Sequence, residues 1–332
     1  MFDFLLGFGK NGDRSVEAQD APDPPVRQRP TIGLALGGGA ARGFAHIGII
    51  QVLIEAGLKP DVIAGTSIGA LAGGLYAAGR LDPFSEWSRQ LTRRGVFGYM
   101  DFSFSGSGLI GGDRLADRLN GELGGLTIEE LPVRFAAIAT EVGTGHEIWL
   151  TRGRLVDALR AAYALPGIFA PVLIGQRWLV DGALVNPVPV SAARALGARL
   201  VIAVNLNSDL FGRGVTISSY GGDEAEGKSS AEKDTAEGPD LIKEVQRAVK
   251  RQVLNVGRRP GIPTVMMDAF NIMQDRITRA RLAGDPPDVS INPRLGGIGL
   301  FEFHRAAESI ALGREAAERA LDQINQALDT LA

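Results

Sequence analysis

The sequence predicts an α/β fold: a three-layer α/β/α domain with a largely parallel central sheet, followed by a C-terminal helical region. Three observations lead there. From residue 31 onward, short β-branched runs alternate with helical stretches, as in parallel strands joined by crossover helices. Two of these strand-to-helix junctions are glycine-rich, which is how open α/β sheets build ligand crevices at the carboxyl ends of their strands. The chain of 332 residues is also 45% hydrophobic and free of cysteine, so it can bury a sizeable core and is neither a disulfide scaffold nor disordered throughout.

Taken in order, residues 1–30 read as a flexible N-terminal segment. Its first eight residues, MFDFLLGF, are apolar but lack a basic n-region and run directly into Lys10, Asn11 and Asp13, which argues against a secretory signal peptide. Phe2, Phe4, Leu5, Leu6 and Phe8 instead form a small apolar tip that suits weak peripheral contact with a membrane. Residues 9–30 are polar and proline-bearing and have little to bury.

The α/β unit is expected over residues 31–206. Strands are read at TIGLAL, DVIAG, RFAAIAT, EIWLT, RWLVD and LVIAVN, with helices near residues 40–56, 68–78, 155–162 and 189–196 between them. The longest uncharged run, residues 62–79, approaches a membrane span in length but contains five glycines, Thr66 and Ser67, and fits a buried strand-turn-helix better. Residues 212–239 have almost nothing to bury and read as a disordered insertion. Residues 240–332 read as a helical extension packed on the α/β unit, with amphipathic helices near 241–256, 268–282 and 301–328 separated by PGIPT and GDPPDVSINP.

Composition narrows the chemistry. With 35 basic and 38 acidic residues the formal charge is −3, which gives no electrostatic reason to expect nucleic acid as a partner. The absence of cysteine removes thiol catalysis and thiolate metal sites. Two glycine patterns are decoys. Gly222 to Ser229 (GDEAEGKS) matches a phosphate loop by letters, but no buried strand precedes it and Asp223, Glu224 and Glu226 would face the phosphates, so no nucleotide is expected there. Gly106 to Gly111 (GSGLIG) matches a dinucleotide pattern, yet DFSFS is a weak strand and no acidic residue follows at the needed distance. A glycine loop ahead of a helix is the better account.

A third cluster has the right context. Gly37, Gly38, Gly39, Ala40, Ala41, Arg42 and Gly43 directly follow a strand and open a long helix. Consecutive glycines bring backbone N–H groups close to a ligand, and the helix N-terminus and Arg42 add positive charge. The turn either binds an anion, whether phosphate or transient oxyanion, or is simply a tight turn. Residues 65–69 read Gly-Thr-Ser-Ile-Gly, with Gly65 and Gly69 flanking Ser67 between a strand and a helix. That is the context of a nucleophile elbow, in which a strained turn lifts the serine hydroxyl onto a helix N-terminus. Both turns would open on one crevice, the first serving as oxyanion hole for the second.

A serine needs a base. His46 lies inside a helix, His146 opens a strand and His304 sits in the C-terminal region, and none has a local catalytic signature. Asp181 in WLVDGA is the better candidate, since an apolar strand running into Asp-Gly puts a carboxylate at the lip of the sheet, although Asp-Gly is also a common turn.

The set GGGAARGFAHIG, GTSIG and DGALVNPVPV, in this order, resembles the patatin-like phospholipase family, specifically its bacterial branch similar to neuropathy target esterase. The likeness covers residues 31–206 and extends to RARLAGDPPDVSINP and FEFHRAAESI. The resemblance implies a lipid acyl hydrolase without metal or other cofactor. It also implies a Ser67–Asp181 dyad, an oxyanion hole from the backbone of Gly37, Gly38, Gly39 and Ala40, and Arg42 holding that loop or an anion. Its substrates would be lipid or acyl esters, and its location cytoplasmic, peripheral at the inner membrane surface. A carboxylesterase or thioesterase on soluble esters is the alternative within enzymes, and a non-catalytic module that keeps the fold the alternative outside them. One departure is Tyr163 in AAYALPG, where a small residue is expected, and it would narrow the acyl pocket.

Overall fold

A computed structural model describes residues 29–93, 95, 108–110, 113–209 and 262–331. The N-terminal tip, the phosphate-loop look-alike and the helix expected near 241–256 lie outside the described residues.

The central sheet contains the strands β1 (Ile32–Leu36), β2 (Val62–Thr66), β4 (Arg134–Glu141), β5 (Glu147–Leu150), β7 (Val172–Ile174), β8 (Arg177–Asp181), β9 (Leu200–Val204) and β10 (Val289–Ile291). Hydrogen-bonded neighbours run β10-β9-β1-β2-β4-β8-β7, with β5 also paired to β4. The strands from β10 to β4 are mutually parallel, whereas β5 and β8 run antiparallel to β4. A separate two-stranded ribbon joins β3 (Gly108–Ile110) to β6 (Gly167–Phe169). Around the sheet lie α1 (Ala45–Glu55), α2 (Ile68–Ala77), α3 (Leu81–Arg89), α4 (Asp113–Leu123), α5 (Leu155–Tyr163), α6 (Val190–Ala195), α7 (Ile262–Gly284) and α8 (Ala306–Leu331).

Alternation along the strands divides the two faces. Ile32, Leu34 and Leu36 of β1, Ile63 of β2 and Leu200, Ile202 and Val204 of β9 enter one large core with α1, α2, α5 and α8. Ala35, Val62, Ala64, Ala136, Val201 and Ala203 point the other way and pack on α6. Large side chains face the thick helical layer and small ones face the thin layer, which gives the three-layer, mostly parallel fold expected from the sequence.

Two segments depart from expectation. GDPPDVSINP, read as a separator between helices, contains β10, whose Val289 and Ile291 extend the sheet beyond β9 and join the large core. The period-2 signal is only three residues long and sits among prolines, so the strand is formed by its neighbour rather than by local preference. Between the glycines of GSGLIG lies β3, away from the main sheet, and α4 starts after it at Asp113.

The register around β4 positions the site. Both β5 and β8 pair with Ala139 and Thr140, so they occupy opposite edges of β4, and β5 shares Ala137 and Ile138 with β2. It follows that β8 continues along the edge where β2 ends. Thr66 lies opposite Ile138 and Asp181 opposite Ala139, so the last residues of two oppositely directed strands meet beside adjacent residues of β4.

Candidate functional site

Ser67 sits in the sharp junction between β2 and α2 with φ 55° and ψ −128°, a combination that a residue bearing a side chain adopts only under strain. Gly69 makes the turn possible, because a Cβ there would overlap the backbone oxygen of Leu36. The Ser67 Oγ donates a 2.6 Å hydrogen bond to Asp181 Oδ2, while Asp181 Oδ1 accepts from the Ala183 N–H at 2.8 Å. Asp181 is only 1% exposed, and burial raises its carboxyl from the usual 3.8 to about 7, with the Ser67 and Ala183 hydrogen bonds opposing the rise.

The glycine turn after β1 lies alongside, but its four residues are not equivalent. The Gly37 N–H donates to Val204 O at 3.1 Å and the Gly38 N–H to Pro187 O at 3.0 Å, so both are engaged in holding the turn. Gly39 and Ala40, whose N–H groups have no acceptor among the described residues, line a pocket with Ser67 and Asp181. Ala40 has φ 48°, a left-handed conformation unusual for alanine, at the point where the turn passes into a 3₁₀ segment.

Arg42 turns away from the pocket into the C-terminal part of the chain. Its Nε donates to Ile298 O at 2.8 Å and a terminal nitrogen donates to Asn207 Oδ1 at 3.2 Å. Burial lowers its pKa from the ordinary value, and Asp209 opposes that shift. Of the two roles open to it in the sequence, loop holder and anion ligand, these hydrogen bonds serve the first.

None of the three histidines lines the pocket. His46 is fully buried beneath the glycine turn with Nε2 2.8 Å from Gly37 O, and desolvation pushes its pKa down to about 4, so it is a neutral donor to that carbonyl. His146 is exposed in the β4–β5 turn, 3.9 Å from Glu141, and His304 accepts from Arg93 Nε at 3.2 Å. Tyr163 packs edge-on against Phe169, with ring centroids 5.5 Å apart, and it is Leu165 rather than Tyr163 that reaches the pocket.

Sequence reasoning missed the rest of the lining. Phe270 and Gln274 come from α7, and Leu300 and Phe301 from the loop before α8. The Leu300 carbonyl also accepts the Ala41 N–H at 3.0 Å, which stitches that loop to the glycine turn. Phe301 opens the FEFHRAAESI segment already noted for its likeness, whereas no motif marks Phe270, Gln274 or Leu300. Asn207, which joins Arg42 to Gln274, carried one usable signal, a polar side chain just past the carboxyl end of a buried strand.

A family model described as patatin-like phospholipase matches residues 34–194. An NTE family protein of Mycobacterium tuberculosis is 34% identical, covering 88% of this chain and 92% of its own length. The chain belongs to the patatin-like phospholipase family, in its NTE-related branch. Neuropathy target esterase of Drosophila melanogaster is 30% identical over 58% of this chain and 14% of that much longer protein. A solved structure, VipD from Legionella pneumophila, superimposes with a TM-score of 0.44 at 12% identity, covering 91% of this chain and 67% of the other. Patatin-like proteins of this kind are lipid acyl hydrolases in general. The family model ends at residue 194, so Phe270, Gln274, Leu300 and Phe301 of the pocket lining lie beyond it, although the mycobacterial relative covers 88% of this chain.

Proposed function

We propose that this patatin-like protein is a serine acyl-ester hydrolase of the phospholipase or lysophospholipase type, with Ser67 as nucleophile and Asp181 as base. The observation that carries the reading is the 2.6 Å hydrogen bond from a strained serine at a strand-to-helix turn to a buried carboxylate. Asp181 Oδ2 takes the Ser67 proton as Oγ attacks the acyl carbon. The N–H groups of Gly39 and Ala40 face the developing oxyanion, and the same proton passes to the departing alkoxide as the ester C–O bond breaks. Water then attacks the acyl-enzyme, Asp181 accepts its proton, and returning that proton to Oγ frees the fatty acid and restores Ser67.

A carboxylate of ordinary pKa is a weak base for serine. Raised to about 7, Asp181 is far better matched, and esters, whose leaving groups need less assistance than amides, suit it. The lining of Leu165, Phe270, Leu300 and Phe301 favours an acyl chain over a polar substrate. Exposed Val265, Met266, Ile272 and Met273 lie on α7, whose other face supplies Phe270 and Gln274, and Phe301 is itself 43% exposed at the pocket. These apolar residues support approach to a lipid surface. Among the described residues no helix is long and apolar enough to cross a membrane, so such contact would be peripheral.

A fluorophosphonate probe should label Ser67, and Ser67→Ala should abolish ester hydrolysis with the fold intact. Full activity in Ser67→Ala, or labelling at another serine, would refute the assignment. Profiling against short-chain p-nitrophenyl esters and long-chain lysophospholipids distinguishes a lipid hydrolase from an esterase acting on soluble substrates. Loss of liposome flotation on removing residues 1–10 would support the N-terminal tip as a membrane contact, and unchanged flotation would exclude it.

A further inference from the structure

A polar chain that the Ser67–Asp181 chemistry does not use runs from the glycine turn to α7. Arg42 can only donate, so the Asn207 atom 3.2 Å from it is fixed as the side-chain oxygen. The other end of that amide is then the NH₂ group. It donates to Gly38 O at 3.2 Å and to Gln274 Oε1 at 3.2 Å. With Oε1 facing Asn207, Gln274 has only Nε2 left to present elsewhere, and this orientation follows from the hydrogen-bond network.

Gln274 is 4% exposed and lines the same pocket as Ser67, Gly39 and Ala40. The Nε2 lies 3.9 Å, and Ser67 Cβ 3.4 Å, from the point a Gly38 Cβ would occupy, so both groups border the bare backbone of the oxyanion turn. Among the described residues Gln274 makes its hydrogen bond through Oε1, and Nε2 donates to none of them. A donor on a largely buried side chain, held in one orientation through Asn207 and Arg42 and placed at the pocket wall, is poised for an acceptor on the ligand.

We propose that Gln274 is a catalytic residue whose Nε2 donates to the acyl carbonyl oxygen as it becomes the oxyanion, a side-chain third donor beside the Gly39 and Ala40 amides. The proposal rests on the Ser67 reading above and adds to it a contribution from the helical region beyond the family match. Asn207 and Arg42 act as positioning residues that keep Oε1 occupied and Nε2 turned to the substrate.

The test compares p-nitrophenyl butyrate with its thionoester, whose sulfur is a poor acceptor in place of the carbonyl oxygen. Gln274→Met keeps the length without the donor and should lower kcat on the oxoester about 10²-fold, the usual scale for one oxyanion donor, with KM nearly unchanged. On the thionoester the loss should be much smaller. Gln274→Glu keeps the size and the acceptor toward Asn207, so it guards against misfolding of the first variant, and it should lose the oxoester rate as well. Equal losses on both substrates, or near wild-type rates in Gln274→Glu, would overturn the proposal. Fluorophosphonate labelling of Ser67 in both variants keeps that outcome distinct from failure of the nucleophile assignment itself.

Discussion

At the scale of residues, Asp181 and His46 are buried titratable groups that pull stability in opposite directions. The Asp181 carboxyl is raised from 3.8 to about 7, so between those pH values the folded chain holds a proton that the unfolded chain has lost. Stability from this group therefore falls as pH rises through that window, by about 4 kcal/mol in total. His46 is lowered from 6.5 to about 4, so between these values the unfolded chain holds the extra proton. Its contribution rises with pH by about 3 kcal/mol, and the two nearly cancel. Asp181→Asn removes only the first. Chemical denaturation should find the variant more stable than wild type at pH 8, no more stable at pH 4, and with a stability that now climbs between pH 4 and 7. Activity should move the other way. Asp181→Asn is expected to lower kcat by about 10²- to 10⁴-fold. In wild type kcat/KM should rise with pH through a midpoint near 7, because only ionised Asp181 can accept the proton. His304→Ala and His146→Ala should change turnover less than about tenfold, the scale of a packing effect. A folded but inactive His304→Ala would mean a triad.

Among the elements, the close crossing of α1 and α8 holds the glycine turn from below. A Cβ at Gly48 would overlap Ile310 O, and one at Gly313 would overlap Ala45 O, so each helix presents a glycine to the backbone of the other. Ser309 Oγ then donates to Arg42 O at 2.9 Å, tying α8 to the segment that follows the turn. Gly313→Val should force the helices apart and cost about 1 to 3 kcal/mol or more, read as a drop in the urea midpoint. Activity should fall along with stability, since α1 begins one residue beyond the 3₁₀ segment that carries Ala40. The meeting of β2 and β8 end to end beside β4 is the other decisive arrangement, because it brings Asp181 to Ser67 without any loop between them.

For the whole molecule, the C-terminal region supplies a sheet strand, a core helix and pocket walls. Val289, Ile291, Ala306 and Ile310 belong to the same buried cluster as β1 and α1. Ending the chain at Gly284 would uncover that surface, and such a protein should be insoluble or molten by near-ultraviolet circular dichroism and size-exclusion chromatography. Residues 222–229 should tolerate change, since Asp223, Glu224 and Glu226 would face any bound phosphates. Lys228→Ala should leave activity unaltered, and ATP should not raise the melting temperature, as it would if it bound the folded state.

The sequence by itself determined the α/β class and the two glycine turns, and it nominated Ser67 and Asp181 as candidates, because each is written within a few neighbouring residues: a β-branched run, a glycine where a side chain would collide, an acid closing an apolar strand. It could not apportion the glycine turn, since whether the Gly38 N–H is available depends on Pro187, far along the chain, accepting it. Nor could it find β10, a strand of three residues whose stability comes from β9, or give Gln274 a place, since one glutamine in an amphipathic helix looks like any other. Only the tertiary structure decided these, because hydrogen-bond acceptors, strand partners and pocket walls come from segments tens to hundreds of residues apart, and no local pattern records which of them will meet.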